Sequence, residues 1–507
     1  MPTKRKQNIP GKIPRPSRNS GMGRTPGAHR GGFGSRSSSV RPSAVPRAKR
    51  SAHARGGFST SAPHTPGVVG GSSYPTMQPG GDDKRGFSPE VVLTRRNLLI
   101  GAAAIGGIAA VGGGVSFAMN TLGQGGSDNT IDHINVAQEA VVDQSSYTMA
   151  DDYTAYVKPS GEYKLPYGTL VWADNDDIAC CLSPTDTASP LATISVLNLS
   201  TGNNPTVVST AEGAADGFEI IDARCSADGI VWVESNAYTS AWRVYTAELS
   251  GSTAANTQKV DEGDANWLLP SIAAVGSDAF WQVSPNSEGD SADARAVLKT
   301  AAFGSTNANE IYSSKRAFAT RVGAADDGVV ITPRAESTSV YYQLTKVTSS
   351  GQVTDQMTLP SSMTPDIVGY GRSGFAFGFT NIYNFGGGIA NLGTYTPRSA
   401  VQANNYNDLQ WFRFSRTPLS TPCWCGEWFV VKSTTALCGI NFANSTYFAV
   451  KTISGSDDYG EQLVSSGTRS SFVGLSQVVP STTTDKSQGY ALVRVFDPIK
   501  DAIGSAF

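Results

Sequence analysis

A polar turn followed by a short aromatic or β-branched run recurs about every fifty residues after Asn120, and this period constrains the fold more than any other feature. The phrase reads DNDDIACC from Asp174, SADGIVWV from Ser226, VGSDAFWQV from Val275 and AADDGVVI from Ala324. It returns as YGRSGFAF from Tyr370, PCWCGEWFVV from Pro422 and DKSQGYALVRV from Asp485. The first large apolar residues after these turns are Ile178, Ile230, Phe280, Val329, Phe375, Trp428 and Tyr490, with spacings of 52, 50, 49, 46, 53 and 62. Long helical periodicity is absent. Phe412 and Phe414 alternate with Trp411, Arg413 and Ser415, the pattern of a half-buried strand.

Units of about fifty residues built only from short strands match the four-stranded blade of a β-propeller. The expected fold is therefore all-β, a seven-bladed β-propeller over residues 147–507, one blade per anchor. No blade carries a WD40, kelch or Asp-box signature. A pair of β-sandwiches has similar strand signals but needs no such period. Closure removes exposed sheet edges, and residues 147–172 are placed to pair into the last blade.

The part before this domain is different in kind. Residues 1–96 hold 18 Lys/Arg and 3 Asp/Glu, a net +15, whereas the remainder holds 22 and 39, a net −17. Residues 1–93 are rich in Gly, Pro, Ser and Arg and lack apolar periodicity, so they read as a disordered basic tail. Such a tail suits anionic lipid headgroups. Two Arg-Gly-Gly-Phe units, Arg30–Phe33 and Arg55–Phe58, offer RNA binding as the other reading. Leu98–Met119 is free of charge, and as a helix it would rise about 33 Å, enough to cross a bilayer core of about 30 Å.

Before that run stand Thr94, Arg95, Arg96, Asn97, Leu98 and Leu99. Together with the mild, Gly/Ala-rich apolar stretch, they resemble a twin-arginine export signal. The resemblance implies passage through the twin-arginine translocase, with residues 94–119 as signal or transmembrane helix and 120–146 as linker. The expected small-x-small cleavage site is poor, Ser116-Phe117-Ala118 being the best. A single-pass protein of the plasma membrane follows, N-terminus cytoplasmic and C-terminal domain outside, with a released form if the signal is cleaved. Ala102, Gly106, Ala110, Gly114 and Ala118 fall at every fourth position, a face suited to helix self-association.

Chemistry is constrained mainly by what is missing. Beyond the apolar run the sequence has one histidine, His133, so a Ser-His-Asp or Cys-His arrangement lacks its base. No cofactor motif is present, and none is expected. Cys180, Cys181, Cys225, Cys423, Cys425 and Cys438 are candidates for disulfides outside the cytoplasm. A hairpin turning at Thr434-Thr435 sets Cys438 opposite Val431; Cys425 is then six positions away, about 20 Å, too far to bridge. Asp174-Asn175-Asp176-Asp177 reads as an ordinary turn rather than a Ca²⁺ loop. The segment Asn381–Asn407 interrupts the fifth unit; its Tyr383, Asn384, Phe385, Asn405 and Tyr406 are candidate ligand contacts, since Tyr and Asn suit recognition of sugars or peptides. The expectation is an anchored envelope protein, not an enzyme, whose propeller binds a protein or glycan. The alternative is an exported propeller enzyme, either a carboxylate-dependent glycan hydrolase or lyase or a cofactor-loaded redox protein.

Overall fold

Strand after strand turns back on its predecessor through connections of two to thirteen residues, so each sheet is an antiparallel meander. The computed structural model describes residues 131–499 apart from 384–386, 403–404, 417–419 and 484. The tail, Thr94–Leu99 and the Leu98–Met119 run lie outside the described residues. Among the described residues no helix is long and apolar enough to cross a membrane. The fold is all-β, arranged as a β-propeller.

Among the described residues the strands form seven sheets, numbered here in chain order. Sheet 1 runs outward through Leu170–Trp172, Ile178–Pro184, Ala192–Asn198 and Thr206–Val208. Sheet 2 comprises Glu219–Cys225, Gly229–Asn236, Ala241–Ser250 and Thr253–Gly263, and sheet 3 comprises Ser271–Val275, Asp278–Val283, Ala296–Ala302 and Asn309–Ser314. Sheet 4 is Gly323–Ala325, Gly328–Ile331, Gln343–Val347 and Val353–Thr358; sheet 5 is Ile367–Gly371, Gly374–Phe379, Gly393–Pro397 and Trp411–Phe414. Sheet 6 contains Cys423–Cys425, Trp428–Lys432, Leu437–Asn441 and Thr446–Ala449. Sheet 7 contains Ser456–Leu463, Phe472–Val478 and Tyr490–Pro498, completed outside by the N-terminal strand Val157–Pro166.

Apolar side chains on both faces of each sheet explain why the sheets pack side by side. Ile230, Trp232 and Cys180 close sheet 2 onto sheet 1, while Val231 and Val233, pointing the other way, close sheet 2 onto sheet 3 through Trp281. The same alternation continues around the ring to Val171, Ala179 and Cys181 of sheet 1, which meet Val473, Val493 and Val495 of sheet 7. Trp411 packs with sheet 4 and Phe412 and Phe414 pack with sheet 6. The expected half-buried strand thus has two buried faces, because it stands between neighbours rather than against water. Inner strands come especially close where glycine permits: a Cβ on Gly371 would lie 2.2 Å from Trp424 Cδ1.

Six of the seven anchors, Ile178 to Trp428, lie in the second strand of their sheets. Tyr490 is the exception and opens the third strand of sheet 7, whose second strand is Phe472–Val478. The 62-residue final spacing reflects this slip of one strand. Sheet 7 takes its outermost strand from the N-terminus, as expected of residues 147–172, so its own sequence supplies three.

The boundary at 147 moves towards the N-terminus. Ile134 N donates to Thr358 O of sheet 4, and Ile134 and Val136 are buried in the core between sheets 4 and 5. Val141–Asp143 then pairs in parallel with Trp411–Phe414, and Thr148–Met149 with Thr446–Ala449. Residues 131–166 therefore form a belt along the outer edges of sheets 4, 5, 6 and 7. The second half of the expected linker is part of the propeller, since it satisfies edge hydrogen bonds that would otherwise face solvent.

Candidate functional site

The innermost strands surround the axis, and charges placed on them have little access to water. Asp222 and Arg224 sit on the inner strand of sheet 2, 7% and 8% exposed. Arg224 Nη1 donates to Asp222 Oδ1, and Arg321, just before the inner strand of sheet 4, donates to Asp222 Oδ2. The guanidinium of Arg224 also lies 3.9 Å from the ring centroid of Trp172 and 4.0 Å from Asp174 Oδ2 of sheet 1. Burial alone would raise the Asp222 carboxyl, but Arg224 and Arg321 outweigh it and hold the group below its usual range.

A second element closes the axis at the end formed by the first-to-second-strand turns. Between the first two strands of sheet 7, the chain leaves its own sheet. Ala173 of sheet 1 donates to Val464 O, and Gly467–Arg469 pairs in parallel with Cys423–Cys425 of sheet 6. Thr468 N then donates to Asp326 Oδ1 in the first turn of sheet 4, 3.0 Å away. Because this segment touches sheet 1, sheet 6 and sheet 4, it spans the axial opening. Gly467 has φ +71, and a Cβ there would lie 3.0 Å from Asp326 Oδ1, so the crossing needs glycine on both counts.

The Asp174–Asp177 turn holds this segment. Asp174 Oδ1 accepts from Ser466 Oγ at 2.6 Å, Asp176 Oδ1 accepts from Ser470 N at 2.8 Å, and Arg469 donates to Asp174 O. Asn175 Oδ1 accepts from the backbone of Asp177 and Ile178, forming the turn itself. The turn reading of this tetrad thus gains a structural purpose. Among the described residues no group of three or more His, Cys, Asp or Glu is placed to hold a metal ion. Arg469 also lies 3.6 Å from Asp326, so Asp174, Asp222 and Asp326 each have an arginine beside them.

The described ligand-contact candidates on Asn381–Asn407, Tyr383, Asn405 and Tyr406, differ in exposure. Tyr406 is 3% exposed, and its hydroxyl donates to Asp355 Oδ2, which also accepts from Tyr370. Tyr383 is half-buried, its hydroxyl bonded to Thr364 O and its ring edge-on to Phe379. Asn405 is exposed and donates to Asp408. Asn384 and Phe385 lie outside the described residues. The N-terminal belt grips this segment from both ends, Gly388 N donating to Val136 O and Asn135 N to Asn407 Oδ1. His133 is exposed on the belt, with Nδ1 3.0 Å from Ile131 O.

All six cysteines are buried, and no disulfide joins any two of them in this structure. Cys438 pairs with Val431 as expected. The separation of Cys425 from Cys438 has a different cause, however. Cys425 turns back through Gly426-Glu427 to pair with Trp428, so a whole strand lies between the two sulfurs, which face opposite sides of sheet 6.

The axial charges escaped sequence reasoning because their partners are remote, Arg321 lying 99 residues from Asp222. The available signal was an Asp and an Arg inside the otherwise apolar stretch 220–225.

No protein-family model and no curated protein sequence matches this chain. Among solved structures, puromycin hydrolase is similar at 12% identity and a TM-score of 0.40, over 61% of this chain and 50% of the hydrolase. The chain thus spans about half the length of that protein. Oligogalacturonate lyase from Vibrio parahaemolyticus is similar at 9% identity and a TM-score of 0.41, over 70% of this chain and 97% of the lyase. TolB from Acinetobacter baumannii is similar at 11% identity and a TM-score of 0.32, over 69% of this chain and 65% of TolB. These likenesses concern the fold alone.

Proposed function

We propose that the chain is an exported, membrane-anchored envelope protein whose seven-bladed β-propeller ectodomain binds a protein or glycan ligand. The observation that carries the binding reading is the axis. Its charges are committed to one another, and Val464–Ser470 lies across its end, so the axial groups serve the ring and contact with a ligand falls to the loops. The lone histidine of this part sits on the outer belt, away from the axis. Seven sheets with seven interfaces support the blade count.

Thr94–Leu99 and the apolar run after it support export through the twin-arginine translocase and retention by Leu98–Met119. The charge split, +15 before Asn97 and −17 after it, suits a basic tail on cytoplasmic anionic lipid and an acidic domain outside. The small-residue face of the helix suits self-association. The rival is a propeller enzyme acting on glycans through carboxylates. Purified full chain incubated with an envelope polysaccharide preparation separates the two. Retention of polysaccharide at unchanged chain length supports binding; release of shortened or unsaturated fragments overturns it in favour of hydrolysis or lysis.

A further inference from the structure

The six cysteines allow fifteen pairings, and strand geometry removes nearly all of them. Cys181 faces sheet 7 and Cys438 faces sheet 5, each without a second cysteine in its apolar cluster. Cys423 and Cys425 share a cluster but lie two apart on one extended strand. That spacing puts their Cβ atoms about 6.6 Å apart, against the roughly 4.5 Å limit for a disulfide. Cys180 and Cys225 alone share a cluster from different sheets, on the second strand of sheet 1 and the inner strand of sheet 2. The Cys180 side chain is the foremost cause that pushes the Cys225 thiol up, and Asn175 Nδ2 donates to Cys225 O beside them.

We propose that Cys180 and Cys225 form a disulfide that ties sheet 1 to sheet 2, while the other four cysteines stay reduced. The source of oxidant rests on the export reading: outside the cytoplasm a disulfide-bearing thiol oxidase, or oxidised glutathione, accepts the electrons. The two thiols each lose a proton and together lose two electrons; the S–S bond forms between them, and the partner disulfide is reduced to two thiols. Both residues are at most 1% exposed in the folded ring, so exchange takes place before this interface closes. The remaining thiols are poor nucleophiles, burial pushing Cys423 and Cys438 up to about 12.

The test counts thiols in the full chain taken from its native membrane, denatured with an alkylating label before and after reduction. Four labels without reductant and six with it are expected, together with a reducible peptide joining the two segments. Cys180→Ser and Cys225→Ser each abolish that peptide, whereas Cys181→Ser keeps it, and near-UV circular dichroism of each variant reports whether it folds. A parallel sample of full chain is unfolded and refolded with oxidised glutathione. Absence of the Cys180–Cys225 peptide in this sample overturns the pairing. Its presence there with six free thiols in the native protein supports the pairing and overturns folding in an oxidising compartment.

Discussion

Replacing Asp222 by asparagine keeps the shape of the axial side chain and removes its charge, leaving two guanidinium groups facing a neutral amide. Arg224 is the costly one, since its side chain is 10% exposed; Arg321, at 34%, is partly relieved by water. Removing one partner of a buried pair typically costs 3–5 kcal/mol, and the partial solvation of Arg321 places this variant near the lower end, about 3 kcal/mol. With an unfolding entropy of about 2.1 cal/mol/K per residue, a ring of about 370 residues loses about 1 °C per 0.8 kcal/mol, so the midpoint falls by about 4 °C. Scanning calorimetry at pH 7 reads this directly. Arg295→Gln, which breaks the exposed Arg295–Glu336 pair, is the control and shifts the midpoint by less than about 1 °C. Because Asp222 titrates lower in the folded ring than in the open chain, wild type keeps its advantage above about pH 4 and loses it as pH falls further. Equal midpoints for wild type and Asp222→Asn at pH 7, or a gap unchanged well below pH 4, would refute the axial pairing.

Three further outcomes follow from named contacts. Lys432 is 2% exposed and donates to Tyr459 O, and burial lowers its amine to about 8. The unfolded chain therefore binds the extra proton between about pH 8 and 10.4, and wild type gains stability over Lys432→Met as pH rises through that window, read by chemical denaturation. Truncation to residue 175 removes the belt, the outer strand of sheet 7 and Leu170–Trp172 of sheet 1; it yields no cooperative melt, and a truncated chain that folds with a wild-type midpoint argues against closure by Val157–Pro166. Gly371→Ala drives a methyl into Trp424 and costs about 1–3 kcal/mol, much of it recovered in a Gly371→Ala/Trp424→Leu double exchange.

Where the sequence was legible, the reason was local. A turn followed by an apolar run marks the second strand because that strand is buried on both faces and begins at a tight turn, as at Ile230 and Phe280. The marker slipped at Tyr490 because the chain entering sheet 7 crosses the axis before its second strand, replacing a tight turn with Val464–Ser471. The belt was illegible for another reason: Val141–Asp143 and Thr148–Met149 are too short to carry a period, and their burial depends on edges presented by sheets 5 and 6. Tyr406 looked like a recognition residue by composition; its partner Asp355 lies 51 residues earlier, on another sheet. Side chains that meet across sheets leave no spacing to read, which is why the axial network and the Cys180–Cys225 contact emerged only from the folded ring.

The central claim, a propeller held outside the membrane by a helix whose N-terminal side stays in the cytoplasm, is tested most directly by protease accessibility. Full chain carrying one epitope before Pro2 and another after Phe507 is expressed in its native cell, and external protease is added to intact spheroplasts. The C-terminal epitope is expected to be lost while the N-terminal one survives with a membrane-bound fragment of the tail and helix. A C-terminal epitope protected until the cells are lysed would contradict the claim.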